Sequence, residues 1–317
     1  MQVTDDEREE TRTMLTHEYS YDACLRGSVT NPWTVDDCFQ GRDFDFAKPF
    51  LPDRIAGVQA IGCLTALEKR MLNQIRGNSY CHIFAFVEEY IVPLVMDRAR
   101  SDVYGDETRL RSLLRFADEE LKHQQMLRRA IEQFEAGFGV SCGLFPGREE
   151  VAKIVLDTSP LTALLLTSMI EWFTQLHYTE HVREDSDLDE LFRDILRFHW
   201  IDESRHARMD SLLIDEVATD LTADQREQAI DQLLDLGGAI DGLLGQQIEL
   251  DIDALQTVTG RTLTEAERDE IRTHQQRAYR WTFLVSGLRH PNFVRIVDQV
   301  TTTGPDKIAT AAQALSA

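Results

Sequence analysis

From residue 56 onward, apolar residues recur at three- and four-residue intervals, and this periodicity constrains the fold more than any other feature of the sequence. The spacing is typical of amphipathic α-helices, and no stretch shows the sustained alternation expected of a β-strand. Turn-forming residues separate the periodic segments. The predicted helical segments are 58–100, 107–136, 159–184, 187–217, 222–250 and 263–287. The sequence therefore predicts an all-α protein.

Several helix boundaries carry recognisable capping residues. Asp106 or Thr108 can cap the start of the second segment, and Gly137 is expected to end it. Thr264 is followed three residues later by Glu267, which predicts a capping box at the start of the last segment. These signals place the motifs described below on helices.

The chain is expected to form one domain. Residues 1–53 contain "NPW" and "FDFAKPFLPD" and are predicted to form an extended lead-in. The core of a helical bundle is expected at about 58–217, with flanking C-terminal helices at 222–317. No shift in composition marks a linker between these regions.

The charge balance is strongly acidic, with 55 Asp and Glu residues against 33 Lys and Arg residues and a formal charge of -22. Such a surface repels nucleic acid and anionic membranes. The N-terminal "MQVTDDEREE" lacks the pattern of a signal peptide, and no apolar run is expected to reach the roughly 20 residues of a membrane span. The sequence predicts a cytoplasmic protein that binds neither nucleic acid nor a membrane.

Two Glu-x-x-His motifs lie on predicted helices, from Glu120 to His123 and from Glu203 to His206. Because a helix turns about 100° per residue, His199 falls on the same face as the second motif. Both faces are otherwise apolar, and ionisable groups in a buried stripe are costly unless they pair or bind a metal ion. Either motif alone is more often a solvent-exposed pair than a set of ligands. Their placement on apolar faces makes them candidate metal-binding positions.

An acid precedes each motif at the same distance. Glu88 lies 32 residues before Glu120, and Glu171 lies 32 residues before Glu203. A turn falls midway in each interval, so two antiparallel helical hairpins would bring each acid to the level of its own motif. The pattern resembles the ferritin-like dinuclear carboxylate plan, in which two helices each provide a Glu and two others each provide Glu-x-x-His. The expected architecture is therefore a ferritin-like four-helix bundle core with additional flanking helices.

Two choices among the acids stay open in the sequence. Helical phase and the equal intervals favour Glu88 over Glu89 as the inward residue. Glu119 and Asp202, which immediately precede the motif glutamates, are candidate acceptors for the ring N–H groups of ligating histidines. The alternative is that both acids face solvent.

Oxygen-rich ligands with a minority of imidazole suit iron or manganese. Bridging carboxylates can hold two divalent ions close enough to act on one small molecule, and dioxygen is the obvious one. We therefore expect two iron ions (Fe2+/Fe3+) as the cofactor and O2 as co-substrate, with manganese as the open alternative.

Four blocks of the sequence look like those of a known enzyme family: "FDFAKPFLPD", "LNQIRGNSYCHIFAFVEEYI", "FADEELKHQQM" and "HWIDESRHARMD". They resemble the diiron arylamine N-oxygenases, the p-aminobenzoate N-oxygenase family of aureothin-type pathways, from about Asp43 to Phe293. The third histidine, His199, is the main basis of this resemblance. The resemblance implies oxidation of an amine towards a hydroxylamine, nitroso or nitro product. The metal ligands that it implies are Glu88, Glu120, His123, Glu171, His199, Glu203 and His206.

Other residues stay open between packing and function. Most are more plausible as packing or surface residues than as pocket or radical sites. They are His177, His181, Tyr90, Tyr178, Trp172, Phe173 and the segment 279–287.

The leading hypothesis is an iron-dependent oxygenase with a small-molecule amine or other organic substrate and an external electron donor. A C–H hydroxylase or desaturase is the close alternative. A ferroxidase or iron-handling protein would share the ligands without needing an organic pocket, and a metal-free helical scaffold is the third class. A homodimer is compatible with each of these hypotheses.

Overall fold

The chain enters the fold through three short helices in the computed structural model, which describes residues 19–316. They are α1 (Tyr21–Thr30), α2 (Val35–Phe39) and α3 (Asp53–Ala56). Ser20 caps α1, and Thr34 forms a capping box with Asp37 at the start of α2. Much of the lead-in that was expected to be extended is therefore helical, whereas the acidic N-terminal stretch lies outside the described residues.

Four long helices form the core of the molecule. The five helices that follow the lead-in are α4 (Ala66–Ala99), α5 (Glu107–Phe138), α6 (Arg148–Leu156), α7 (Pro160–Leu176) and α8 (Glu190–Thr219). Apart from the short α6, they pack as two hairpins, α4 along α5 and α7 along α8, with α5 in contact with α8. Residues 19–316 contain no strand. The predicted all-α class, with a core of four helices and additional flanking helices, is confirmed.

Side-chain caps begin the core helices where the sequence indicates. Asp106 caps α5 by accepting from the backbone of Thr108. The expected end of α5 at Gly137 is wrong, because the helix continues to Gly139, which adopts the left-handed conformation with φ 79°. Gly137 lies inside the helix for another reason: a Cβ atom there would come within 2.4 Å of the Phe46 ring. Close packing, and not helix termination, therefore explains this glycine.

The helix and following turn from Ala66 to Tyr104 are long and apolar enough to cross a membrane by length and composition, with a mean hydropathy of 1.2 in the most apolar window. No apolar run of this length was expected from the sequence. Of that window, 67% is buried inside the protein, as in the core helix of a bundle. Packing against the other core helices is therefore sufficient to explain the apolar character of α4.

The C-terminal third covers the bundle with further helices. They are α9 (Ala223–Thr259), α10 (Glu265–Arg280), α11 (Ser286–Leu288), α12 (Pro291–Val300) and α13 (Gly304–Leu315). The capping box of Thr264 and Glu267 is present at the start of α10, as predicted. Helix α9 packs across α4 and α7. π-helical turns, His177–Val182 and Trp281–Val285, extend α7 and α10.

Candidate metal centre

The four core helices carry every acid and histidine of the predicted site into the interior of the bundle. All of these side chains are buried. They are Glu88 on α4, Glu119, Glu120 and His123 on α5, Glu171 on α7, and His199, Asp202, Glu203 and His206 on α8. Glu89, the alternative to Glu88, instead lies at the edge of the bundle, 3.1 Å from the guanidinium of Arg128.

Six of the seven predicted ligands come together in two adjoining groups. The first group contains Glu88, His123, His199 and Glu203, and the second group contains Glu120, His123, Glu203 and His206. Within each group, the candidate ligand atoms all lie within 4.8 Å of one another. His123 and Glu203 belong to both groups, so the two groups lie side by side. This arrangement suits two metal ions that share a bridging carboxylate.

Short contacts between ring nitrogens and carboxylate oxygens run through both groups. Nε2 of His199 lies 2.8 Å from Oε1 of Glu88 and 2.8 Å from Oε1 of Glu203. Nδ1 of His206 lies 2.8 Å from Oε1 of Glu120. Oxygen and nitrogen atoms from three different helices therefore converge on one region of the bundle interior.

On the side away from the two groups, each motif histidine contacts the acid that immediately precedes the glutamate of the other motif. Nε2 of His206 lies 3.0 Å from Oε2 of Glu119, and Nε2 of His123 lies 3.1 Å from Oδ2 of Asp202. Since Nε2 of each ring faces its outer acid, Nδ1 of each ring faces the carboxylates of the two groups. The structure thus places both acids in the accepting position that the sequence left open.

Basic side chains hold these two outer acids in turn. Arg205 contacts both Glu119, at 3.0 Å, and Asp202. Nζ of Lys122 lies 2.7 Å from Oδ2 of Asp202. A buried carboxylate with such partners stays ionised, which strengthens the hydrogen bond that it accepts from imidazole. The orientation of the two histidine rings is therefore fixed by a charged network outside the two groups.

The lead-in supplies two further donors that the sequence analysis missed. The Ser28 hydroxyl of α1 donates to Oε1 of Glu119 at 2.7 Å, and Nε1 of Trp33 donates to Oδ2 of Asp202 at 2.9 Å. Trp33 also stacks on the His123 ring, with centroids 6.0 Å apart. The tryptophan of "NPW" was the only available signal for this contact. The lead-in therefore closes one side of the centre.

The charges of the two groups favour positive charge at their centre. Burial disfavours the charged form of His206, but Glu120 and Glu203 outweigh this effect and hold its pKa well above the usual value. Burial would likewise raise the pKa of Glu120, yet the nearby charges of His206 and His123 lower that pKa to about 2. The pKa of His199 lies well below its usual value because of burial and the charge of His123. Divalent cations meet the same demand for positive charge.

Several inward atoms are buried without a hydrogen-bond partner in the part of the chain that the structure describes. They are both carboxylate oxygens of Glu120, Oε1 of Glu203, Oε2 of Glu171 and Nδ1 of His206. The 2.8 Å approach of His206 to Glu120 is an ionic contact that lacks hydrogen-bond alignment. An unpartnered buried polar group costs about 1–3 kcal/mol, so the convergence of these atoms fits the binding of an electron-pair acceptor. Carboxylate and imidazole donors without a thiolate fit iron or manganese.

Glu171 is the one predicted ligand that lies outside both groups. Its side chain is buried on α7, and Oε2 has no partner among the described residues. The carboxylate therefore stands inside the bundle with a free electron pair, at the position in its hairpin that corresponds to Glu88.

Asp210 is a further buried acid, and the sequence analysis assigned it no role. It lies one helical turn after His206 on α8 and has no exposed surface. Neither carboxylate oxygen has a hydrogen-bond partner among the described residues. Burial, together with the charges of Glu120 and Glu203, raises its pKa well above the usual value. Its spacing from His206 was the signal that could have placed it on the inward face.

The two histidines left open on the extension of α7 take packing positions. The ring of His177 is buried, with Nδ1 3.1 Å from the Tyr80 hydroxyl and Nε2 3.2 Å from the Ser286 hydroxyl. Burial, reinforced by His181, lowers the pKa of His177 to about 3, so this ring is neutral. His181 packs edge-on against Trp281, with centroids 5.3 Å apart. Neither histidine belongs to the two groups.

An apolar cavity lies beside the first group. It contains about 620 Å³ free of protein atoms, part of it open to solvent, and is lined by side chains of α4, α6, α7 and α9 together with Phe145 and Phe283. At its inner end, Phe84 packs edge-on against His199, with ring centroids 5.2 Å apart. Val151 and Ile240 are half-buried and mark the outer side. The cavity therefore extends from the protein surface to Phe84, and the ring of Phe84 lies between it and His199.

The aromatic residues left open by the sequence divide between this cavity and the remaining core. Phe173, Tyr90 and Phe283 line the cavity, whereas Trp172 and Tyr178 do not. Every one of these residues lies on a helix with an apolar face, so the sequence alone does not distinguish the residues that line the cavity from those in the core. The packing of α9 against α4 and α7 determines which of them line the cavity.

No protein-family model matches the chain, and no curated protein sequence matches it significantly. Solved structures similar to it include R2-like ligand-binding oxidases. A point mutant of such an oxidase with an aerobically reconstituted Mn/Fe cofactor aligns with a TM-score of 0.44 and 14% identity, over 84% of this chain and 93% of that chain. Another structure of such an oxidase, aerobically reconstituted with Mn/Fe in a long soak, has a TM-score of 0.44 and 14% identity, over 84% and 92%. Such TM-scores mark a remote likeness.

Proposed function

We propose that this protein is a dinuclear non-haem iron oxygenase that uses O2 to oxidise an organic amine. The observation that carries the proposal is the pair of groups that share His123 and Glu203, together with an apolar cavity that only the ring of Phe84 separates from His199. The groups provide the donors that iron prefers, and the cavity provides space for an organic molecule.

In this proposal the first group would hold one ion and the second group would hold the other, with Glu203 common to both groups and Glu171 as an additional ligand. When bound, a pair of iron ions supplies the electrons with which dioxygen is activated. The protein fixes the donors before binding, because Glu119 and Asp202 hold the rings of His206 and His123 in one orientation.

The surroundings of the centre control what reaches it. The ring of Phe84 separates the cavity from His199, so a molecule in the cavity lies one aromatic side chain away from the first group and not in bulk water. Apolar walls exclude water from the reacting end, which strengthens electrostatic interactions there and limits side reactions. An external electron donor would be required to return the ions to the reduced state.

Amine N-oxygenation is the preferred reaction because His199, the residue that carries the resemblance to arylamine N-oxygenases, completes the first group. Hydroxylation or desaturation of a C–H bond would use the same centre and cavity. A ferroxidase would not need the apolar cavity beside the ligands, and this favours an organic substrate over ferrous iron as the molecule that is oxidised.

Metal loading of two adjacent variants tests the centre. We expect about two irons per chain in the unmodified protein after anaerobic loading with Fe(II). Glu88→Ala should lower this number because Glu88 belongs to the first group, whereas Glu89→Ala should not, because Glu89 pairs with Arg128 at the edge. Elemental analysis after desalting gives the count. Less than one iron in the unmodified protein, or equal loss in both variants, would refute the dinuclear site.

Rapid mixing of the Fe(II)-loaded protein with oxygen separates an oxygenase from a ferroxidase. For an oxygenase, we expect a transient visible absorption that decays faster when an aryl amine is present, together with an oxidised amine product. Direct formation of a ferric mineral with no effect of the amine would contradict the proposal. Mass spectrometry of a product formed under 18O2 would show whether the new oxygen is bonded to nitrogen or to carbon.

A further inference from the structure

We propose that the substrate is an uncharged aryl amine with apolar substituents and no carboxylate, and that it binds in the apolar cavity beside the first group. This inference deepens the proposed function and rests on it for the role of the neighbouring centre. It departs from the p-aminobenzoate-like substrate that the resemblance of the sequence implies.

The lining of the cavity contains no charged side chain among the described residues. Phenylalanine rings dominate the part that is nearest to the centre, including Phe84, Phe173 and Phe283. Tyr90 contributes the only side-chain oxygen or nitrogen among the lining residues. Aromatic walls favour an aromatic ligand through offset and edge-on ring contacts. The cavity is thus suited to a ring and to apolar substituents.

The position of the centre fixes the orientation of the ligand. The nitrogen of an amine substrate must face the first group if oxygen is transferred to it, so the substituents on the ring point away into the cavity. A carboxylate opposite the amine would then lie among apolar side chains. Burial of an ionised carboxylate without a cationic partner is strongly unfavourable.

The cations nearest to the cavity do not provide a partner for such a carboxylate. Arg76 is the fully buried cation of α4, but its guanidinium stacks on the Tyr279 ring at 3.3 Å and balances the charge of Asp251. Arg148 and Lys153 of α6 are exposed. None of these three cations lines the cavity. A substrate carboxylate in the cavity therefore has no cationic partner among the described residues.

The Tyr90 hydroxyl is buried and has no hydrogen-bond partner among the described residues. The hydroxyl of Thr167 lies next to it and donates to the carbonyl of Ala163 at 3.0 Å. One free hydroxyl can satisfy one uncharged polar atom of a ligand, whereas a buried carboxylate needs several donors. The single polar group of the cavity therefore also fits an uncharged substrate.

Two ligands that differ only at the end of their chain test the inference. They are 4-butylaniline, which ends in a methyl group, and 4-(4-aminophenyl)butanoate, which ends in a carboxylate. Calorimetric titration would use the full chain, both metal-free and loaded with Fe(II) under anaerobic conditions. We expect the butanoate to bind at least about 100-fold more weakly than the butyl compound in both forms.

A lysine at the outer side of the cavity should reduce this discrimination. Val151→Lys places an ammonium group on a half-buried lining position, from which the long side chain can also reach solvent. In this variant, we expect the ratio of the affinity for the butyl compound to the affinity for the butanoate to fall by at least about tenfold, because a charge-assisted hydrogen bond becomes available to the carboxylate. The matched control is Ile154→Lys on the same helix, at an exposed position that does not line the cavity. It should leave the ratio unchanged.

Equal or tighter binding of the butanoate in either form of the unmodified protein would overturn the inference. Failure of the butyl compound to bind would do the same. Iron content measured on the same preparations keeps the two proposals distinguishable. Normal iron loading with the wrong ligand preference would contradict only the substrate class, whereas the expected preference without iron loading would contradict only the oxygenase.

Discussion

The two hairpins of the bundle, α4 with α5 and α7 with α8, carry the same pattern of acids and histidines. Corresponding residues occupy the same places in each hairpin. They are Glu88 and Glu171, Glu119 and Asp202, Glu120 and Glu203, and His123 and His206. The contacts follow the same symmetry, since each outer acid supports the histidine of the opposite hairpin. The inner ligands and their supports are therefore an approximate twofold repeat.

The hairpins differ in what surrounds that repeat. Four residues before the motif glutamate, the first hairpin has Phe116 and the second has His199. Phe116 stacks on His206 with centroids 4.0 Å apart, whereas His199 meets His123 edge-on at 4.7 Å and joins the first group. The first group thus contains an additional imidazole, whereas a phenyl ring packs against the histidine of the second group. The two groups therefore have equivalent supporting acids but different donor atoms.

The largest effect is expected where the groups overlap. Glu203→Ala removes a member of both groups, and Glu120→Ala removes a member of the second group alone. After anaerobic Fe(II) loading, iron should fall from about two per chain to less than one in the first variant and to about one in the second. Elemental analysis provides the count. Equal losses would show that the overlap does not govern binding.

The next effect concerns the residue that makes the hairpins different. His199→Phe copies Phe116 into the second hairpin and removes a nitrogen donor from the first group. We expect the affinity for one of the two irons to fall by more than about 100-fold, because the loss of a ligand exceeds the loss of a supporting residue. Fe(II) titration against a competing chelator measures this change. Trp200→Phe, on the same helix but outside both groups, is the control, and an unchanged titration of His199→Phe would remove His199 from the site.

The two outer acids, each of which supports the histidine of the opposite hairpin, should differ in their effect on iron affinity. Asp202→Asn weakens the hydrogen bond that orients His123, which belongs to both groups. Glu119→Gln weakens the hydrogen bond that orients His206, which belongs to one group. Each substitution should lower iron affinity by about 10–100-fold, with the larger loss for Asp202→Asn. The same chelator competition compares the two variants. A larger loss for Glu119→Gln would show that the shared histidine is not the more important one.

Asp210 has Leu127 as its counterpart in the first hairpin, and both side chains are buried. The folded-state pKa of Asp210 is raised by burial, so the unfolded chain releases this proton at lower pH than the folded protein does. Above about pH 4, the free energy of unfolding should therefore fall by about 1.4 kcal/mol per pH unit from this group, up to its folded pKa.

The stabilising effect of Asp210→Asn relative to the unmodified protein should accordingly be larger at pH 7 than at pH 5. Urea unfolding at the two pH values measures it. Asp235→Asn, at an exposed position on α9, is the control and should show no such trend. A pH-independent difference between Asp210→Asn and the unmodified protein would rule out titration of the buried carboxyl.

Much of the fold follows from local sequence features. The apolar period predicted the helices, and short-range capping by Asp106 and Thr264 set their starts within a few residues. The misplaced end at Gly137 shows the limit of such features, because that glycine is required by the Phe46 ring, more than 90 positions away in the sequence. The helices of the lead-in were missed because α1 and α2 are short and their apolar residues are few.

The sequence by itself determined which acids and histidines lie on buried helical faces, because helix geometry relates residues three, four and 32 positions apart without knowledge of the rest of the chain. The tertiary structure decided how the hairpins combine. It made His123 and Glu203 common to two groups and left Glu171 outside both. It also placed the outer acid of each hairpin against the motif histidine of the other hairpin. It also placed Trp33 against Asp202 and formed an uncharged cavity beside His199. These features depend on packing between segments that are distant in the sequence, and no local pattern encodes such contacts.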